Sequence, residues 1–135
     1  MRVISAVLLF AFATLAVAQT NPKSEARIAK EVRHELVMLP LLDVFDNLAF
    51  KVDGYNVTLM GQVTRPTLKT DAERAVKNVE GVEHVDNQIE VLPVSPMDDR
   101  LRVRLFRAIY GYTALQRDAM PVIKPIRVIV KNGHV

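Results

Sequence analysis

Arg100, Arg104 and Arg107 stand four and then three residues apart, a spacing that puts their side chains on one face of a helix. A row of guanidinium groups at that pitch offers paired donors to phosphate oxygens. That is the chemistry of holding an anionic headgroup, not of breaking a bond. Each basic residue near an anionic surface contributes about 1 kcal/mol, so such a row gives reversible attachment. Tyr110 and Tyr112 follow in the loop 110–115, and tyrosine favours the membrane interface. Arg100, Arg104, Arg107, Tyr110 and Tyr112 are therefore the candidate lipid-binding residues. A second reading fits the same residues: a solvated helix face ion-paired to an acidic neighbour, with the tyrosines packed in the core.

Other reactive side chains are sparse. Beyond the first eighteen residues the serines are Ser24 and Ser95; the first lies near an end and the second precedes a helix as a cap, so neither is placed as a nucleophile. His34, His84 and His134 are fifty residues apart and form no metal-ligand pair at helix or strand spacing. No two glycines fall within six residues of each other, which excludes the common phosphate-cradling loops. Asp98 and Asp99 open a helix, where carboxylates meet the dipole favourably. The chain has no cysteine, hence no disulfide framework, thiol nucleophile or Cys-ligated metal. A non-enzymatic protein without metal, cofactor or small-molecule substrate is expected. Nucleic acid fits poorly, because no aromatic residue alternates with the basic row to stack bases.

The 135 residues are 50% hydrophobic and 24% charged with a net charge of +3, the composition of an ordinary folded chain. The apolar run from Val3 to Val17, behind Met1-Arg2 and closing in the small–x–small site Ala16-Val17-Ala18, reads as a signal peptide over 1–18, cleaved near Ala18, with an uncleaved N-terminal anchor as the alternative. It is shorter than the roughly 20 residues that span a bilayer. Export to the periplasm or beyond is expected. From Gln19 to Pro93 nine basic residues face twelve acidic ones, giving −3; from Val94 to Val135 eight face three, giving +5. This asymmetry suggests a basic surface with an anionic partner, although a solvated charged face is the commoner cause of such a pattern.

The elements that must carry these residues follow from periodicity. Ile28, Val32, Leu36 and Leu39 recur at helical spacing and Pro40 marks the end. The period then drops to two through Leu48, Phe50 and Val52, and again through Val57, Leu59, Gly61 and Val63, with Asp53-Gly54-Tyr55-Asn56 between them. That is a β-hairpin. Leu68, Ala72, Ala75, Val76 and Val79 give a second helix, with Thr70 and Glu73 spaced as a capping box and Gly81 as its stop. Val85, Asn87, Ile89 and Val91 form a third strand. The order is αββαβ in the α+β class: a small sheet covered by two helices.

The pattern then restarts. Ser95-Pro96 opens a helix with Leu101, Leu105, Phe106 and Ile109 on its apolar stripe; Ile126, Val128 and Val130 alternate as a strand; Lys131-Asn132-Gly133-His134 matches the turn at Asp53 to Asn56. Residues 19–93 form a first unit, and 94–135 the start of a second that ends at its first hairpin turn. The expectation is a fragment or an early-ending gene model, whose last strand is poorly protected or borrowed by the first unit's sheet.

The segments Val57-Thr58-Leu59-Met60-Gly61-Gln62-Val63 and Val79-Glu80-Gly81-Val82-Glu83-His84-Val85-Asp86-Asn87-Gln88-Ile89-Glu90-Val91 resemble the two hallmark ends of the BON domain (bacterial OsmY and nodulation). The resemblance covers about Ser24 to Leu92, and Met97 to Val135 looks like the opening of a second copy. Tandem copies behind a signal peptide are similar to the osmotically inducible periplasmic proteins of this family. The resemblance implies a non-enzymatic αββαβ domain that binds phospholipid surfaces or envelope proteins and supports envelope integrity or osmotic-stress tolerance. Gly61, Gly81 and Asn87, within the hallmark segments, read as structural: two glycines for close approach or a turn, and an asparagine to bond a neighbouring turn. An envelope protein docking on a sheet edge, or on the loop Met120-Pro121-Val122, is the alternative to lipid.

Overall fold

The computed structural model describes residues 22–135; the leader assigned to 1–18 lies outside the described residues. Helix α1 (Pro22–Val37) buries Ile28, Val32 and Leu36, the stripe its periodicity predicts. Strands β1 (Asn47–Asp53) and β2 (Asn56–Val63) pair antiparallel, with Asp53 opposite Asn56 across the turn. Gly54 supplies the positive φ, 62°, that the turn requires. Helix α2 (Pro66–Lys77) buries Leu68, Ala72 and Val76. The return strand runs parallel to β2 as β3 (His84–Asn87) and β4 (Glu90–Val91). The mixed sheet is thus centred on β2, and α1 and α2 share one apolar core with its buried residues Val57, Leu59 and Val63.

The predicted third strand is interrupted at Gln88 and Ile89 without a change of register, since Leu59 pairs with Asn87 and Gln62 with Glu90. The Asn87 side chain causes the break. Its Oδ1 accepts from the Ile89 N–H at 3.2 Å, while its Nδ2 donates to the Lys69 carbonyl at 2.9 Å and to Glu73 Oε2 at 3.0 Å. Asn87 therefore ties the strand to α2, a helix and not the turn expected of it.

The two signature glycines answer different needs. Gly61 has φ +115°, and a Cβ there would collide with the Asn47 carbonyl oxygen across the hairpin. Gly81, with φ +91°, carries the chain out of α2 against Ile28 and Arg27. The predicted capping box does not form. Pro66 starts α2 one turn earlier, so Thr70 lies inside the helix and its hydroxyl donates back to the Pro66 carbonyl. Glu73 instead pairs with Lys77.

Helix α3 (Pro96–Tyr110) follows, then a 3-10 turn (Thr113–Leu115) and the short α4 (Gln116–Ala119). The segment 126–130 is extended, but it joins no sheet. Val128 N–H donates to the Val44 carbonyl at 3.0 Å, its one backbone bond to the first unit. The predicted strand is therefore not borrowed by the first sheet; among the described residues it has no ladder partner. Its turn does form: Lys131 and His134 pair across Asn132 and Gly133, whose φ angles of 52° and 78° give the double left-handed geometry of a tight hairpin.

Candidate functional site

α3 begins where its sequence says it should. Ser95 is the N-cap, its Oγ accepting from the Asp98 N–H at 3.2 Å, and Pro96 follows. Arg100, Arg104 and Arg107 are all exposed. They lie together with Asp99 and Val103 around a shallow, mostly apolar hollow. Among the described residues none of the three makes an ion pair; the five recorded salt bridges involve Arg27, Arg74, Lys77, Arg102 and Lys131. The row is thus a solvated face, and it is not neutralised by the acidic first unit.

The tyrosines part company. Tyr112 is 63% exposed on the turn after α3, whereas Tyr110 is 7% exposed. The Tyr110 hydroxyl donates to the Ile126 carbonyl at 2.6 Å and accepts from the Ile126 N–H at 3.1 Å, and its ring packs on Phe106. A hydroxyl with both roles filled by one backbone residue pins the extended segment to the helix. Tyr110 leaves the candidate surface set and belongs to the core.

The buried stripe of α3 also differs from the expected one. Asp98 and Arg102 are buried with Tyr110, while Leu101, Leu105 and Ile109 are half-buried. Asp98 accepts from the Asn132 and Gly133 N–H groups at 2.9 and 2.8 Å, so this carboxylate organises the second hairpin turn as well as the helix start. In the first unit Glu25 accepts from the Gly54 N–H at 2.9 Å. A first-turn carboxylate grips a hairpin turn in both halves of the chain. Arg102 donates to Asp99 and to the Val130 carbonyl, and its Nε has no partner.

Sequence reasoning also missed Asp46. It is 1% exposed and its Oδ1 accepts from the Thr64 N–H and hydroxyl, holding the open end of the β-hairpin. It missed as well a cleft of about 460 Å³ between the α1–β1 loop and α3. His34, His84 and His134 are exposed and separate, and no cluster of three His, Asp or Glu side chains able to hold a metal occurs among the described residues. No described helix is long and apolar enough to cross a membrane. The Glu73 carboxyl is held below its ordinary value, chiefly by its hydrogen bond from Lys77 and then by that from Asn87; both contacts are structural ties within the first unit.

No curated protein matches the chain. Residues 24–93 match the BON domain, a family often linked to phospholipid binding and osmotic stress and generally non-catalytic. The match begins within α1 and ends just past β4, so it spans the two helices and the four-stranded sheet. Because that span is more than half the chain and coincides with a complete αββαβ unit, the chain belongs to the BON domain family.

Proposed function

We propose that this protein is an exported, non-catalytic module of the cell envelope that binds anionic phospholipid surfaces through α3 and supports envelope integrity or osmotic-stress tolerance. The reading places it in the periplasm or outside the cell, as a tandem arrangement resembling the osmotically inducible periplasmic proteins of the family. One observation carries it: Arg100, Arg104 and Arg107 form an exposed row with no carboxylate partner. Arginines left unpaired on one helix face are free to take phosphate oxygens in bidentate geometry. At about 1 kcal/mol each, the three together are worth about 3 kcal/mol, or roughly 150-fold in partitioning. Tyr112, exposed beside the end of the helix, adds an interfacial anchor.

Flotation of the chain from Gln19 onward with neutral and anionic vesicles, at low and high salt, tests this. Binding to anionic vesicles alone is expected, weakening with salt as charge screening shortens and falling about 100-fold in Arg100→Ala/Arg104→Ala/Arg107→Ala. Failure to bind anionic vesicles at low salt would sink the proposal.

A second reading, docking of an envelope protein by strand addition, has its own support. Among the described residues no partner reaches the backbone groups of Arg127 and Ile129, and an extended edge with free N–H and C=O groups accepts another strand. Met120 and Val122 of the neighbouring loop are 84% and 99% exposed. Binding of this kind would persist at high salt and survive the arginine replacements.

A further inference from the structure

The cleft beside α3, lined mainly by apolar side chains, is left unused by the lipid-surface reading. One wall is the α1–β1 loop, through Leu39 and Leu42; the other is α3, through Val103 and Phe106; Val122 and Ile123 stand at the mouth. Its volume, about 460 Å³, lies in the range of roughly 300–1,000 Å³ typical of small-molecule sites. Val103 and Ile123 are 40% and 41% exposed and Val122 is 99% exposed, so apolar surface remains open to water there.

Two features point to one occupant. Val103 lines both this cleft and the hollow of Arg100, Arg104 and Arg107, so a headgroup held by the guanidinium row is one side chain away from the cleft. The cleft's own cations also lack carboxylate partners. Lys124 Nζ donates to the Ala119 and Pro121 carbonyls at 3.0 and 3.2 Å, and Arg127 donates to the Asp43 carbonyl at 2.7 Å. Asp43 also lines the cleft, and its Oδ1 accepts from the Val44 N–H. Two cations against one carboxylate leave the surroundings of an apolar slot positive, a combination that complements an amphiphile with an anionic head and a hydrocarbon tail.

We infer that the cleft takes one acyl chain of the anionic phospholipid whose headgroup the arginine row holds. This rests on the lipid-surface reading and adds to it a chain-binding site that a flat electrostatic contact lacks. Protein on a bilayer would draw a single tail out of the leaflet into the slot between the α1–β1 loop and α3.

Monoacyl phosphatidylglycerols with octanoyl, decanoyl and dodecanoyl chains, titrated by calorimetry as dispersed monomers, read the cleft directly. Each methylene that enters it should tighten binding about fourfold. The pair Val122→Asp/Ile123→Asp changes exposed side chains, so the fold should survive, as circular dichroism would verify. Those variants should lose the chain-length slope and bind the dodecanoyl lipid at least tenfold more weakly, yet keep salt-sensitive attachment to anionic vesicles. Affinities that do not change with chain length, or that are equal in wild type and the variants, would overturn the acyl site while leaving the headgroup reading standing. The triple variant Arg100→Ala/Arg104→Ala/Arg107→Ala should keep the slope but bind every chain length more weakly, and affinities unchanged by it would overturn the coupling of head to tail. Absent vesicle binding would count against the surface reading alone, because the monomer titration does not depend on it.

Discussion

Replacing Asp98 by alanine should release the second hairpin turn from α3, and the size of the effect follows from its bonds. The carboxylate is 1% exposed and accepts two backbone N–H groups, from Asn132 and Gly133, across thirty-four and thirty-five residues of sequence. Hydrogen bonds to a charged group are worth about 1.5–3 kcal/mol each. Two would give about 3 kcal/mol at the low end of that range. Asn132 and Gly133 are themselves exposed, so water recovers part of the loss, and about 2–3 kcal/mol remains. Glu25→Ala removes one such bond, to Gly54, and should cost about half as much. Native-state amide exchange is the assay, because it reads local opening. Asn132, Gly133 and Val128, whose N–H groups are all hydrogen-bonded, should lose protection in Asp98→Ala, while Val57 and Leu59 of the first unit stay protected. Unchanged exchange at Asn132 and Gly133, or a loss below about 0.5 kcal/mol, would refute the idea that this carboxylate holds the turn.

Other consequences are equally open to measurement. Gly61→Ala places a methyl group against the Asn47 carbonyl oxygen at φ +115°; backbone strain of about 1–3 kcal/mol plus the collision should lower the urea midpoint sharply, and a wild-type midpoint would contradict the close approach. Arg102→Met replaces a buried cation whose Nε is unsatisfied and whose partner Asp99 is 64% exposed, so stability should stay within about 1 kcal/mol of wild type or rise, whereas Arg102→Ala should destabilise by leaving a cavity; a large loss for methionine would show the charge to be needed. The Glu73 carboxyl is held below its ordinary value, first by Lys77 and then by Asn87. The stabilisation tied to its ionised form is therefore present above the unfolded value, about 4.3, and is lost as pH falls through the lower folded value. An NMR titration of Glu73 should move up in Lys77→Met, and no movement would remove Lys77 as the cause.

The fold of the first unit is readable from local pattern. Alternation through Leu48 to Val52 and Val57 to Val63, helical spacing in α1 and α2, and Gly54 and Gly81 at their turns each depend on near neighbours, and each element forms at its expected place. The capping box at Thr70 and Glu73 fails for an equally local reason, since Pro66 nucleates the helix earlier. The candidate surface was legible in part. Arg100, Arg104 and Arg107 share an exposed face because helical pitch alone puts them there. Tyr110 does not join them, because Ile126, sixteen residues away, takes both sides of its hydroxyl.

What the sequence determined by itself was the αββαβ order, the family, the cap at Ser95 and the arginine row, all products of short-range periodicity and turn chemistry. Only the tertiary structure decided that Asp98 and Arg102 face inward, that Val128 meets Val44 outside any sheet, and that the α1–β1 loop and α3 enclose a cleft. The physical reason is common to these cases. A polar side chain can be buried only where a partner from distant sequence satisfies it. Asp98 finds Asn132 and Gly133, and Arg102 finds Val130, and neither pairing leaves a mark in the local alternation of polar and apolar residues.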